Sequence, residues 1–214
     1  MSLNQVFDFS GRRVLVTGAA NGFGLAMARL FAGQGARLVL ADIEAEGVLA
    51  IAAELGAEAH VFDQADLHSI TRFASAVGDV DVLVNNAGIL VAEPLLDITA
   101  DDIRRLVDTD FIGVVHMMRA FVGGMISKKS GVILNFSSQT AFAGGENRAI
   151  YAACKSCRLA SHARSCGRMG TARRARARHR ARPLPDTHDG ADCGPRLRWR
   201  SRFGTSAARP LGYS

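Results

Sequence analysis

Three side chains near the middle of the sequence have types and spacings that could support proton transfer. Tyr151 and Lys155 are four residues apart, and Ser138 lies upstream of both. Residues at i and i+4 share one face of a helix, so this pair would place an ammonium beside a phenol. A nearby cation favours the phenolate and allows acid–base work by the phenol. Ser138 could hydrogen-bond a substrate oxygen on which negative charge develops. An exposed helical pair without chemistry is the simpler alternative for Tyr151 and Lys155 taken alone.

A glycine-rich segment near the N-terminus, TGAANGFG, could hold a phosphate. It contains Gly18, Gly22 and Gly24 and lies between an apolar run and a helical pattern that starts near Phe23. Glycine permits a tight turn and a close backbone approach, so a pyrophosphate can rest on the N-terminus of the following helix. We therefore predict a dinucleotide-binding loop that includes Asn21. A glycine-rich turn without a ligand is the alternative.

Two aspartates at the ends of later apolar runs could bind the adenosine part of a dinucleotide. Asp42 follows Gly24 by 18 residues, where a carboxylate can accept hydrogen bonds from both ribose hydroxyls. It would repel a 2′-phosphate, and positions 19–21 hold no basic residue, so NAD is favoured over NADP. Asp63 could hold the adenine amino group. Helix capping is the alternative for Asp42, and a turn is the alternative for Asp63.

The segment NNAG at positions 85–88 is expected beside the same cofactor. Glycine there would let the backbone pass close to a ligand, and the Asn side chains can satisfy backbone amides at a strand end. Asn86, Ala87 and Gly88 are therefore predicted to contact the cofactor. By itself the segment could be only a turn.

The elements that must position these residues follow from the hydrophobic pattern. The apolar runs are RRVLVTG, RLVLAD, EAHVFD, VDVLVNNAG and GVILNFSS, and helices are predicted over 23–34, 45–55, 66–76 and 100–126. Strands that are apolar on both faces and alternate with helices indicate an α/β fold with a Rossmann-type, doubly wound parallel sheet of about five strands. Ligands of such sheets bind beyond the carboxyl ends of the strands, where the candidate residues lie.

The segments TGAANGFG, NNAG, NFSS and YAACK, in this order, resemble the short-chain dehydrogenase/reductase family over roughly the first three-quarters of the chain. The resemblance implies an NAD(P)-dependent oxidoreductase that transfers hydride between a nicotinamide ring and an alcohol or carbonyl substrate. It implies that Tyr151 exchanges the proton with the substrate oxygen and that Ser138 positions this substrate. Lys155 would assist Tyr151 and hold the nicotinamide ribose. The family usually has Asn where this chain has Asp110, supporting a water in the proton relay, so Asp110 adds a charge near Lys155.

The composition changes abruptly after Ser156. Residues 1–156 hold 12 Lys or Arg against 17 Asp or Glu, whereas residues 157–214 hold 14 Arg against three Asp. The net charge therefore changes from −5 to +11 between the two segments. We predict a dinucleotide-binding domain with the catalytic Ser, Tyr and Lys over 1–156 and an irregular, disordered, non-native tail over 157–214.

One extra base in the gene near the Ser156 codon would explain this tail. Read in the original frame, codons compatible with residues 157–189 spell a segment containing RVHAIAPG, which resembles the next strand and Pro-Gly loop of the family. Loss of that region would leave the fifth strand as an unpaired edge. We therefore expect the chain as written to be poorly soluble or inactive. The family would suggest a homo-oligomer, which is doubtful for this chain.

An alternative function is a dinucleotide-fold binding protein whose basic arm, RRARARHRAR, contacts nucleic acid. The tail has no Lys and few aromatic residues, so no nucleic-acid partner is expected. A regulatory protein that has lost catalysis is a further alternative, and the intact Ser138, Tyr151 and Lys155 disfavour it.

Two further features concern metals and location. The cysteine spacing matches no zinc or disulfide pattern, so no metal is expected. The N-terminus lacks a signal-peptide layout and no apolar run is long enough to cross a bilayer, so we predict a cytoplasmic protein without membrane contact.

Overall fold

The computed structural model describes residues 8–165 of the chain. Five strands alternate with helices: β1 (Arg13–Thr17), α1 (Gly22–Gly33), β2 (Arg37–Asp42), α2 (Ala45–Leu55), β3 (Glu58–Val61), α3 (Leu67–Val77), β4 (Val82–Asn85), α4 (Ala100–Val107), a π-helical turn (Asp108–Ile112), α5 (Gly113–Ser127), β5 (Val132–Asn135), α6 (Thr140–Ala143) and α7 (Ala149–Ser165). The alternation confirms the α/β prediction.

The five strands form one parallel sheet in the order β3-β2-β1-β4-β5. β1 is central, and the register pairs Leu15 with Val39 of β2 and with Leu83 of β4. The chain returns to the centre of the sheet after β3, so the strand order reverses between β1 and β4. This reversal creates a crevice at the carboxyl ends of these two strands, as in other doubly wound sheets.

Both faces of the sheet are covered, which explains why the strands are continuously apolar. Leu15 faces a cluster that includes Phe73 of α3 and Phe121 of α5. Its neighbours Val14 and Val16 face the opposite cluster, in which side chains of α1 and α2 pack against the strands. Alternate residues of one strand therefore supply two separate cores, and the central strand is held from both sides.

α4, the π-helical turn and α5 form one helical stretch over Ala100–Ser127. Its 28 residues are long and apolar enough to meet the length and composition criterion for a membrane span. The prediction that no apolar run is long enough to cross a bilayer has this one exception among the described residues, by length and composition only. The apolar side chains Met117, Phe121 and Met125 of this stretch are buried in the core beside the sheet, as in a core helix of a globular domain.

Helix α7 crosses the composition boundary without interruption and continues to Ser165. The first residues of the predicted 157–214 tail are thus helical, and its remainder lies outside the described residues. Sequence analysis also did not predict α6 or the π-helical turn.

Asp81 joins the starts of β1 and β4, and we expect it to contribute to stability above acidic pH. Its Oδ2 accepts a 2.9 Å hydrogen bond from the backbone N–H of Arg13, and Lys128 Nζ lies 3.5 Å from Oδ1. The Arg13 N–H, opposed by burial and assisted by Lys128, holds the pKa of Asp81 below its usual 3.8. A lowered carboxyl pKa contributes stability above the unfolded value, and this contribution is lost as pH falls through the folded value.

Asp81→Asn should therefore lower the free energy of unfolding by about 1 kcal/mol at pH 7. The difference from the parent should shrink as the pH falls below 3.8. Urea unfolding across this range measures both effects. Asp79→Asn is the matched control, because Asp79 lies 3.7 Å from the same lysine but has a 65% exposed side chain. Equal losses for the two variants at pH 7 would contradict the role of Asp81.

Candidate active site

The glycine loop between β1 and α1 has a backbone conformation that requires glycine. Gly18 and Gly22 have φ angles of +66° and +54°, in the left-handed region. Gly24 is required for a different reason, because a Cβ there would lie 1.8 Å from the carbonyl oxygen of Gly18. The loop therefore folds back against the first turn of α1.

The N-terminus of α1 differs chemically from those of α2, α3 and α4. Glu44, Asp66 and Thr99 cap α2, α3 and α4 by accepting hydrogen bonds from backbone N–H groups of the first turn. Asn21 makes no such side-chain bond at α1, and the first turn of α1 carries no acidic residue. Its first N–H groups thus remain available to an anion.

A cleft of about 630 Å³ opens at the reversal of strand order. Nine predicted cofactor residues line it: Gly18, Asn21, Gly22, Phe23, Asp42, Asp63, Asn86, Ala87 and Gly88. The other lining residues carry no motif in the sequence; they are Ile43, Glu44, Phe62, Gln64, Ala65, Ile89, Arg105 and Thr109. Gly24, the remaining residue of the predicted loop, does not line the cleft, and it allows the loop to approach α1 closely.

Asp42 lies at the edge of this cleft and also supports the glycine loop. Its Oδ2 accepts a 2.9 Å hydrogen bond from Ala20 N, and its Oδ1 accepts a 3.1 Å hydrogen bond from Glu44 N. Helix α2 is capped by Glu44, not by Asp42. Each carboxylate oxygen has one described bond, which leaves further acceptor capacity for a ligand.

Asn86 locks the glycine loop from the opposite side of the crevice. Its Nδ2 donates to the carbonyl oxygens of Thr17 and Gly18, at 3.0 Å each. Thr17 completes the junction, because its Oγ1 accepts from the backbone N–H groups of Asn86 and Ala87, at 3.1 Å each. Thr17 was not among the predicted site residues, although its position at the end of β1, directly before Gly18, was a usable signal.

Gln64 is a second residue that sequence analysis missed. Its Nε2 donates to Thr109 O at 2.9 Å and to Ala87 O at 3.3 Å. Its Oε1 is buried without a hydrogen-bond partner among the described residues, and the residue lines the cleft. An orphaned buried acceptor at this position suits a ligand that brings an N–H group.

Tyr151 and Lys155 lie on one face of α7, as the spacing predicts. The ammonium of Lys155 is 5.2 Å from the centroid of the Tyr151 ring. It also lies 3.0 Å from Oδ2 of Asp110, a fully buried residue of the π-helical turn. Gly88 passes so close that a Cβ there would be 2.9 Å from Lys155 Nζ. The predicted Tyr, Lys and Asp therefore meet beside the NNAG segment.

Burial of Lys155 is the main reason why its pKa lies below the usual 10.5, and the nearby Arg158 acts in the same direction. Asp110 opposes both effects by favouring the ammonium. The pKa of Lys155 is therefore set by burial and Arg158, which disfavour the ammonium, and by Asp110, which favours it.

Ser138 follows β5, and its described hydrogen bonds are made with Thr140. The Thr140 hydroxyl lies 2.9 Å from Ser138 Oγ, and Thr140 N lies 3.3 Å from it. Neighbouring serines attach the loop to α7, since Ser137 Oγ donates to Lys155 O and Ser156 Oγ donates to Ala141 O. Among the described residues no hydrogen bond joins Ser138 to Tyr151, so their predicted cooperation stays a prediction.

The family model described as short chain dehydrogenase matches residues 12–162. This match covers the glycine loop, the whole sheet and the Tyr151–Lys155 pair. The chain belongs to the short-chain dehydrogenase family. The match ends six residues after Ser156, where the composition changes.

Similar proteins of this family include polyol dehydrogenases. The chain is 36% identical over 152 residues to sorbitol dehydrogenase of Cereibacter sphaeroides, covering 68% of this chain and 59% of that protein. It is 37% identical over 148 residues to galactitol 2-dehydrogenase of Agrobacterium fabrum, covering 66% and 58%. The chain thus spans less than two-thirds of the length of these relatives.

A solved structure of a metagenomic short-chain oxidoreductase in complex with NADP is also similar. The TM-score is 0.72 at 32% identity, covering 74% of this chain and 76% of that chain. The five-stranded sheet and its flanking helices are therefore an arrangement that this family uses.

Substitution of Gly24 tests whether the loop must fold against α1. Gly24→Ala should lower the free energy of unfolding by about 2 kcal/mol or more, because the new Cβ meets backbone atoms that cannot move independently. Gly33→Ala is the matched control in the same helix, where an added Cβ meets nothing within 4 Å. That variant should be neutral or gain up to about 1 kcal/mol. Urea unfolding of both proteins measures the difference, and similar stabilities would contradict the close approach.

Proposed function

We propose that this protein is a nicotinamide-dependent oxidoreductase that interconverts a small alcohol and the corresponding carbonyl compound. The observation that carries the proposal is the position of Lys155, whose ammonium lies 5.2 Å from the centroid of the Tyr151 ring and beside Gly88, a residue that lines the same cleft as the glycine loop. A buried cation beside a phenol supplies a proton donor and acceptor. The glycine loop supplies a site for a dinucleotide next to it.

The residues present fit a dinucleotide. Gly22 lines the cleft and a Cβ there would meet no atom within 4 Å, so the loop leaves open space at this position. The uncapped N–H groups of α1 suit a pyrophosphate. Asp42 suits the adenosine ribose, and Asp63 lines the cleft where adenine would lie. Asn86, Ala87 and Gly88 would lie along the nicotinamide half of the same ligand.

NAD is the proposed cofactor in preference to NADP. The Asp42 carboxylate would repel a 2′-phosphate, and positions 19–21 of the loop hold no cation. Arg105 lines the cleft, but its guanidinium is paired with Asp102 at 3.2 Å. The similar metagenomic oxidoreductase was solved in complex with NADP, so both cofactors have to be compared by experiment.

Each protein residue has a separate task in the proposed reaction. When bound, the nicotinamide ring gives or takes the hydride. Tyr151 transfers a proton between its hydroxyl and the substrate oxygen, and the ammonium of Lys155 stabilises the phenolate that this transfer leaves. Ser138 is proposed to donate a hydrogen bond to the same substrate oxygen. Asp110 holds Lys155 in place.

The substrate class and the role of the tail are also proposals. Sorbitol, galactitol and 2,3-butanediol appear in the names of relatives, so secondary alcohols of small polyols are the first compounds to test. We propose that residues 1–156 form the cofactor domain and that a frameshifted tail impairs turnover. We also propose a cytoplasmic location. The family would suggest a homo-oligomer, which we do not propose for this chain.

Tyr151→Phe should lower the rate of alcohol-dependent NADH formation by about 10²- to 10⁴-fold, because the proton donor is removed. NADH binding, measured by fluorescence titration, should remain within roughly threefold of the parent, since the ring is retained. Tyr213→Phe is the matched control, because Tyr213 is the second of the chain's two tyrosines. If the parent binds NADH but turns over none of the test alcohols, the impairment by the tail is supported. A parent that binds no NADH would overturn the proposed function.

Asp42→Asn should change the preference between NAD and NADP. Loss of the charge removes one strong acceptor for the ribose hydroxyls and the repulsion of a 2′-phosphate, so the ratio of the two dissociation constants should shift toward NADP by about tenfold or more. Isothermal titration with both cofactors measures this ratio. Glu46→Gln is the control, because Glu46 is exposed in the first turn of α2 and does not line the cleft. An unchanged ratio in Asp42→Asn would contradict the assignment of Asp42.

A further inference from the structure

Arg158 is a buried guanidinium on α7 that no motif singled out. Only 1% of the residue is exposed. Its Nη1 donates to Phe136 O at 2.9 Å and its Nη2 donates to Ala87 O at 3.0 Å. Its Nε donates to the carbonyl oxygen of Asp110, and Nη2 lies 3.5 Å from Oδ1 of the same residue.

The acceptors of Arg158 come from three different parts of the fold. Ala87 follows β4, Phe136 follows β5, and Asp110 belongs to the π-helical turn. A guanidinium presents its donors in one rigid plane, so it fixes the distances among the groups that it contacts. Arg158 thus ties α7 to both strand ends and to the helix beside them.

Arg158 is the second cation beside one buried carboxylate. Asp110 is fully buried, and Lys155 and Arg158 both contact its carboxylate. The Oδ1 of Asp110 also accepts a 2.9 Å hydrogen bond from Ile89 N. With two cations and one carboxylate, the cluster keeps one net positive charge. Without Arg158, the Lys155 ammonium and the Asp110 carboxylate would form a pair of zero net charge beside the Tyr151 phenol.

We propose that Arg158 is a positioning residue that balances the buried Asp110 carboxylate and so leaves the charge of Lys155 to act on Tyr151. The part that concerns Tyr151 rests on the proposed function. The balance of charge between Arg158 and Asp110 does not depend on it.

A double-mutant cycle in the full chain tests the charge balance by thermal unfolding. Arg158→Met alone leaves a buried carboxylate with one cation fewer and should lower Tm by roughly 6–15 °C. In the Asp110→Asn background the same substitution should cost less than half as much, because the charge to be balanced is gone. Arg72→Met, on the exposed face of α3, is the control and should leave Tm nearly unchanged.

Folding failure of Arg158→Met does not block this test. If this variant fails to fold while the double variant with Asp110→Asn and Arg158→Met folds, the proposal is supported. Arg158→Lys, which keeps the charge and loses the planar donors, should be intermediate between the parent and Arg158→Met. Equal losses in the parent and Asp110→Asn backgrounds, or failure of the double variant to fold, would overturn the proposal, because Arg158 would then act only through its carbonyl contacts.

A second measurement reports on Lys155 itself and needs no turnover. The charged or titratable groups described around Lys155 are Asp110, Arg158, Cys154 and Tyr151. The pH dependence of Lys155 modification by a small amine reagent, followed by peptide mass spectrometry, gives its titration. Because Arg158 lowers the pKa of Lys155 and Asp110 raises it, Arg158→Met should move the profile to higher pH and Asp110→Asn to lower pH.

The outcomes separate this inference from the proposed function. Opposite shifts of the Lys155 profile support the inference, even if the protein neither binds NADH nor turns over an alcohol. Shifts in the same direction, or no shift in a folded Arg158→Met variant, would overturn it, whatever the result of the NADH titration.

Discussion

The parallel pairing of β1 with β4 is the constraint on which the site depends. It brings Thr17 and Gly18 beside Asn86, although these residues are far apart in sequence. The hydrogen bonds of Asn86 and Thr17 then join the start of the glycine loop to the residues after β4. If this strand pair were shifted by one residue, the alternation of Val14, Leu15 and Val16 between the two cores would reverse. The core and the cleft are therefore specified by the same register.

The second organising feature is the group of buried charges beneath the NNAG segment. Asp110 receives a backbone N–H and two cations, so its carboxylate is compensated despite complete burial. The π-helical turn places Asp110 within the long helical stretch, and such turns are frequent at functional sites. The stretch thus serves two purposes, because its apolar face fills a core and its turn presents a carboxylate to α7.

Much of the fold was predictable because its signals are local. Strands buried on both faces read as continuous apolar runs, and helix α2 was predicted with the bounds that the structure shows. The glycine loop was also predictable, because only glycine adopts the required angles without strain. These features depend on a residue and its near neighbours in sequence, which a single chain displays.

The contributions of Thr17, Gln64 and Arg158 could not be predicted in the same way. Thr17 accepts from Asn86 across 69 residues, and Arg158 donates to Ala87 across 71 residues. A side chain whose partner is so distant carries no periodic signal. For Arg158 the composition even predicted exposure to solvent, because this residue lies in an Arg-rich segment of the kind that is usually solvated. It is buried because α7 continues past the boundary and places Arg158 against the carbonyl groups of Ala87, Asp110 and Phe136.

The long sequence separation between the paired strands β1 and β4 also affects how the chain folds. β1, β2 and β3 are joined by short crossovers, whereas Val14 pairs with Val82, which lies 68 residues later. Non-local pairing of this kind raises contact order and slows folding. During synthesis from the N-terminus, the first three strands emerge well before Asn86. The glycine loop is therefore synthesised early, but its hydrogen bonds with Asn86 can form only after the fourth strand has been synthesised.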